Sequence, residues 1–108
     1  MHGDRISARA LLTRIESGVA PAILDVRSQR EFANGHIPGA RHIPFWRVSR
    51  RIGELATIPL NAELVVYCGH GPRATVAGRA LRRHGFTRIT YLEGHFSKWR
   101  SAGFREER

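Results

Sequence analysis

Apolar positions along the chain alternate between a helical and a strand period. Ala8, Leu11, Leu12 and Ile15 recur at i, i+3, i+4 and i+7, which predicts an amphipathic helix capped by Ser7 and stopped at Gly18. After Pro21, the unbroken run Ala22-Ile23-Leu24-Asp25-Val26 predicts a short strand covered on both faces. Residues 28–33 predict a short helix with Ser28 as cap, Glu31 at the third position and Asn34-Gly35 as its end. His36-Ile37-Pro38-Gly39-Ala40 reads as a turn, and residues 41–43 as a brief strand closed by Pro44.

Phe45, Val48, Ile52 and Leu55, with Trp46 beside them, have helical spacing, so a helix is expected over 45–55. Leu64-Val65-Val66-Tyr67 is the strongest strand signal, and Cys68 follows it directly. A helix is predicted from Pro72 to His84, stopped by Gly85, with Ala74, Ala77, Leu81 and the small Gly78 on the face that approaches the sheet. Residues 88–92 then predict a strand, and 95–101 a last helix with Phe96 and Trp99 inward. Strands alternating with helices at these spacings define an α/β fold with a mainly parallel sheet covered by helices.

Length and composition narrow the class. A chain of 108 residues, 42% apolar and 25% charged, is the size of one domain with its own core. We expect one domain over 1–108, its core over about 5–104, and a mobile tail from Phe104 onward. No apolar run approaches the ~20 residues needed to cross a bilayer, and Met1-His2-Gly3-Asp4-Arg5 lacks the apolar stretch of a secretory signal. The expected location is the cytoplasm, with no membrane partner. Eighteen Lys and Arg against nine Asp and Glu give a net charge of +9, which attracts anions. The arginines are spread in nothing longer than pairs such as Arg50-Arg51 and Arg82-Arg83, without a basic run or an aromatic-interleaved stripe. Small anions, and not nucleic acid, are the expected partners.

Cys68 is the only cysteine, so neither an internal disulfide nor a thiolate-rich zinc site can form. No pair of histidines has ligand spacing either; no metal and no cofactor are expected. Cys68 is then an inert core residue or a reactive thiol, and its neighbours decide between them. In an open α/β sheet, ligands bind where strands pass into helices at their carboxyl ends. Tyr67-Cys68-Gly69-His70-Gly71-Pro72-Arg73-Ala74 is such a passage. Its glycines let the backbone turn its N–H groups inward, Pro72 suits a first helical turn, and Arg73 adds a cation. A nest of N–H groups at a helix start beside a guanidinium is an anion site, and those surroundings favour thiolate over thiol. The candidate site is therefore Cys68 as nucleophile, with Gly69, His70, Gly71, Pro72, Arg73 and Ala74 around the bound anion.

Cys68-Gly69-His70-Gly71-Pro72-Arg73 resembles the active loop of the rhodanese domain, which begins with Cys and ends with Arg. Leu24-Asp25-Val26-Arg27, Glu31-Phe32 and Gly35-His36-Ile37-Pro38-Gly39-Ala40 resemble that family's N-terminal signature. Leu92-Glu93-Gly94-His95-Phe96-Ser97-Lys98-Trp99 with Ala102-Gly103 resembles its C-terminal one. The resemblance implies a parallel five-stranded sheet between helices. It also implies a sulfurtransferase whose Cys68 takes sulfane sulfur from a donor such as thiosulfate or a persulfide. The covalent persulfide then passes its sulfur to cyanide or a thiol, a protein thiol included. A rhodanese-like module that carries or senses sulfur with little turnover is the alternative. Cysteine-based phosphatase or arsenate reductase chemistry is disfavoured, because phosphatase loops have one residue more between Cys and Arg, and no aspartate stands in this loop as general acid.

The remaining polar residues have architectural expectations. His36 and His95, each after a glycine, are expected to bond backbone across a turn; His70 either steers a ligand or is merely exposed. Asp25 is expected to accept backbone N–H groups beneath the loop and Arg27 to reach a carboxylate such as Glu31. Trp46 and Phe45 are candidates for the pocket wall, Phe96 and Trp99 for the core.

Overall fold

The computed structural model describes residues 4–108; Met1, His2 and Gly3 of the segment read for a secretory signal lie outside them. Five strands, β1 (Asp4–Ile6), β2 (Ala22–Asp25), β3 (Arg41–His42), β4 (Glu63–Tyr67) and β5 (Arg88–Leu92), form one sheet in the order β1-β5-β4-β2-β3. All pairings are parallel. Among the described residues, α1 (Ala8–Glu16), α2 (Gln29–Ala33) and α3 (Pro72–Arg83) connect strands, and α4 (His95–Ser101) follows β5.

Strand alternation sends side chains into two cores. Leu24, Leu64 and Val66 pack with Ala74, Ala77 and Leu81 of α3, whereas Ile23, Val65 and Tyr67 pack with Leu11 of α1 and Phe96 and Trp99 of α4. Apolar residues on both faces of β2 and β4 are what a strand between helical layers requires. Ser7 caps α1 through Ala10 N–H, and Ser28 and Glu31 close a reciprocal capping box on α2. Gly78 lets α3 approach the sheet, since a Cβ there would collide with the Tyr91 hydroxyl.

Three expectations change. β1 joins the sheet edge before the first predicted element, because Asp4, Arg5 and Ile6 pair with Thr90, Tyr91 and Leu92. The helix expected over 45–55 is replaced by two 3-10 turns, Phe45–Arg47 and Ile52–Leu55. Phe45 and Val48 are three residues apart, as are Ile52 and Leu55, so each pair fits a single turn of three residues. The tail is docked. Phe104 packs edge-on against Trp99 at 5.3 Å, and Trp99 Nε1–H donates to Arg105 O at 2.9 Å. Glu107 exchanges backbone hydrogen bonds with His36 at 2.8 and 2.9 Å.

Candidate active site

Asp25 of β2 lies opposite Tyr67 of β4, so these neighbouring strands end together and Cys68 stands at the carboxyl edge of the sheet. Its residue is fully buried. Three successive residues at the start of α4 grip it. Phe96 N–H donates to Cys68 O at 2.9 Å, Ser97 N–H to Gly69 O at 3.2 Å, and His95 Nδ1 accepts from Cys68 N–H at 3.2 Å. An accepting Nδ1 requires a ring with its proton on Nε2. Burial, then Arg5 and His70, lowers the pKa of His95 and favours that neutral form. His95 has φ +52°, the one positive-φ residue besides glycine among the described residues.

Beyond Cys68 the loop turns back on itself. Gly71, at φ +133°, directs its N–H to Cys68 Sγ at 3.0 Å. Pro72 opens α3, which has no side-chain cap. Among the described residues, no hydrogen bond uses the backbone N–H of Gly69, His70, Arg73 or Ala74. These are loop and first-turn donors, and the first-turn amides of a helix point outward along its axis. The loop whose Gly71 N–H holds the sulfur thus carries further donors that are uncommitted among the described residues. Ala74's side chain is in the core, Pro72 is exposed, and His70 stands exposed at the rim.

Arg73 is not free to meet an anion alone. Its Nη1 and Nη2 donate to Glu31 Oε1 and Oε2 at 2.7 and 3.1 Å. This hydrogen bonding, over the opposing effect of burial, lowers the pKa of Glu31 to about 2. Arg73's own pKa is raised, first by Glu31 and in smaller part by Cys68. The Arg73–Glu31 pair therefore sits beside the sulfur with its charges matched.

Arg27, expected to reach a carboxylate such as Glu31, finds that of Asp25 instead, at 2.7 Å with both residues buried, and its Nη2 also donates to Gly35 O at 2.7 Å. Asp25 accepts the Arg27 backbone N–H at 2.9 Å, so its lone pairs serve its own turn and not the loop after β4. The short Asp25-Val26-Arg27 spacing lets one guanidinium fold back onto the strand end, while Glu31 faces across to α3. His36 bonds Phe32 O at 2.9 Å, and His95 bonds across the loop, as their turn positions predict. A cleft of about 760 Å³ adjoins the loop at His70, Gly71 and His95, and Arg5, Arg79 and Tyr91 lie beyond them. Trp46 and Phe45 do not line it; Trp46 is 59% exposed and Phe45 packs on the core. Sequence reasoning missed Glu31 as the partner of Arg73, forty-two positions away. The capping-box spacing had already accounted for that carboxylate.

Fold and loop together define a parallel α/β domain that presents a cysteine in an amide-rich turn at the end of a central strand. The chain belongs to the rhodanese-like domain family, which matches residues 7–102. Thiosulfate sulfurtransferase GlpE of Pseudomonas aeruginosa is 39% identical over 73% of this chain and 69% of its own length. YrkF of Bacillus subtilis, to which a sulfur-carrier role is ascribed, is 33% identical over 87% of this chain. This chain spans 49% of the length of YrkF and 59% of that of a second B. subtilis protein, the uncharacterised YqhL. The solution structure of the rhodanese-like domain of the Anabaena protein Alr3790 superposes with a TM-score of 0.83 at 27% identity, covering 98% of this chain and 80% of that one.

Proposed function

We propose that the protein is a sulfurtransferase that carries sulfane sulfur as a persulfide on Cys68. The observation that carries this reading is Cys68 Sγ held at 3.0 Å by Gly71 N–H inside a loop whose Gly69, His70, Arg73 and Ala74 N–H groups are uncommitted among the described residues. Thiosulfate, or another sulfane donor, is an anion suited to such donors. The Cys68 thiolate attacks the outer sulfur of thiosulfate, and the S–S bond breaks with its electron pair leaving on sulfite. The outer sulfur of the resulting persulfide is then attacked by cyanide or a thiol, and Cys68 departs as thiolate. Cys68 is the only cysteine, so the acceptor is external. No metal or cofactor enters this scheme.

Complete burial of Cys68 favours a second reading, a sulfur carrier that loads and releases slowly. Intact mass before and after excess thiosulfate, with Cys68→Ser treated identically and cyanide added last, tests the main reading. The expected result is gain of one sulfur on the native protein alone, discharged by cyanide as thiocyanate. Loading without repeated thiocyanate release points to the carrier. No gain from thiosulfate or from a persulfide rejects both, and a phosphate-ester assay then examines the phosphatase alternative.

A further inference from the structure

The cleft beside the loop is far larger than a thiosulfate ion requires. About 760 Å³ lies within the ~300–1,000 Å³ of pockets that hold drug-sized ligands. Thr75, Arg79 and Arg82 line it from α3 at i, i+4 and i+7, a spacing that places them on one helical face. Arg5 faces them from β1, and Tyr91 lies between, its hydroxyl accepting from Arg82 Nη1 at 3.3 Å. None of the ion pairs among the described residues involves Arg5, Arg79 or Arg82. Glu93 is the one carboxylate in the described lining. The lining also includes Gly71 and His95, which bond Sγ and N–H of Cys68 at 3.0 and 3.2 Å.

Glu31 matches the charge of Arg73, whereas the cleft lining carries Arg5, Arg79 and Arg82 against the single carboxylate of Glu93. Building on the sulfurtransferase reading, we propose that the cleft binds the body of a low-molecular-weight persulfide, R–S–SH, whose R group carries two or more carboxylates or phosphates. This polyanionic persulfide is the donor. The Cys68 thiolate attacks its outer sulfur, the S–S bond breaks, and the electron pair leaves on R–S⁻. The proton stays on the transferred sulfur, now Cys68–S–SH, and no oxidant or reductant is needed. Three guanidiniums hold the charged groups of R while Gly71 and His95 border the reacting end.

The test compares loading of Cys68 by glutathione persulfide, which carries carboxylates, coenzyme A persulfide, which carries phosphates, and the uncharged persulfide of 2-mercaptoethanol. Arg79→Gln and Arg82→Gln are each set against Arg83→Gln, which removes the same charge from α3 outside the cleft. For at least one polyanionic donor, kcat/KM relative to the uncharged donor should fall about tenfold with each cleft arginine, the scale of a lost hydrogen bond to a charged group. Arg83→Gln should change it much less. The donor that responds identifies carboxylate or phosphate as the group bound. A ratio unmoved by the double Arg79→Gln/Arg82→Gln variant, or moved equally by Arg83→Gln, overturns the proposal. If no donor loads Cys68, the sulfurtransferase reading fails separately, and calorimetry of Cys68→Ser with glutathione and coenzyme A still decides the cleft. Binding weakened by Arg79→Gln supports a polyanion site; no binding of either thiol at millimolar concentration overturns it.

Discussion

Two strand-to-helix passages open side by side on the same edge of the sheet, after β2 and after β4, and they differ in how their donors are used. After β2, the buried Asp25–Arg27 pair binds side chain to side chain and side chain to backbone, and Ser28 with Glu31 caps the next helix. After β4, the helix begins uncapped, and N–H groups of Gly69, His70, Arg73 and Ala74 have no acceptor among the described residues. The first passage is the more fully satisfied, with only the N–H groups of Gln29 and Arg30 lacking an acceptor among its described residues, whereas the second also leaves loop donors ahead of its helix open. Buried polar groups without partners are costly, so a loop that leaves several donors uncommitted is one built to face water or a ligand. Glu31 and Arg73 tie the two passages together, so the satisfied loop positions the open one.

Breaking the satisfied passage should have the largest effect. Arg27→Met leaves Asp25 buried and charged without its partner, and cations lost from such pairs cost ~3–5 kcal/mol. Arg27 also lies over the Phe96 ring at 4.1 Å, so part of that loss is in packing between the turn after β2 and α4. Urea denaturation should show the midpoint falling steeply, with partial recovery in the double variant Asp25→Asn/Arg27→Met. A loss below about 1 kcal/mol, the scale of exposed ion pairs, would mean that the passage is held by something other than this pair.

Disturbing the open passage should cost less stability and more activity. Gly71 at φ +133° adopts a conformation that side chains rarely tolerate, and an added Cβ would stand 3.3 Å from His95 Nε2. Gly71→Ala is expected to destabilise by ~1–3 kcal/mol, the usual range of a strained backbone residue. It should also slow sulfur loading, because the N–H that meets Sγ must shift. Gly18→Ala supplies the contrast: it too sits at positive φ, +76°, with nothing within 4 Å of an added Cβ. Denaturation should register both variants, and mass-spectrometric loading only Gly71→Ala. Equal loading by the two would remove the loop geometry from the mechanism.

The difference between the passages also separates what was legible in the sequence from what was not. Elements with caps and period agreed with their predictions, as Ser28 with Glu31 on α2 and Pro72 on α3 illustrate. The Cys68 loop was readable because glycine, proline and arginine each have a local reason to be there. β1 was not readable: three residues, two of them charged and exposed, become a strand only through their partners in β5. The tail failed for the same reason, since Glu107 finds His36 and Gly39 far away in sequence. Arg79 and Arg82 drew no role from the sequence, because nothing local shows that Arg5 and Tyr91 line a cleft with them.

The tie between the passages offers the subtlest test. Glu31→Gln keeps a side chain able to complete the capping box but withdraws the charge from Arg73. Both partners are roughly a third exposed, so the stability lost at neutral pH should be below ~1 kcal/mol. Its pH dependence has a definite sign. Glu31's pKa in the folded protein lies below the ordinary 4.5, at about 2, so the unfolded chain binds the proton more readily. The contribution is therefore complete above 4.5 and is lost as pH falls toward about 2. Denaturation curves of the native protein and Glu31→Gln should accordingly differ by a constant amount near neutrality and converge through that acid window. Releasing Arg73 also restores a guanidinium beside Cys68, so the KM for thiosulfate should fall in the variant. A KM that rises would mean that Glu31 serves the open loop by holding Arg73 in place more than by masking its charge.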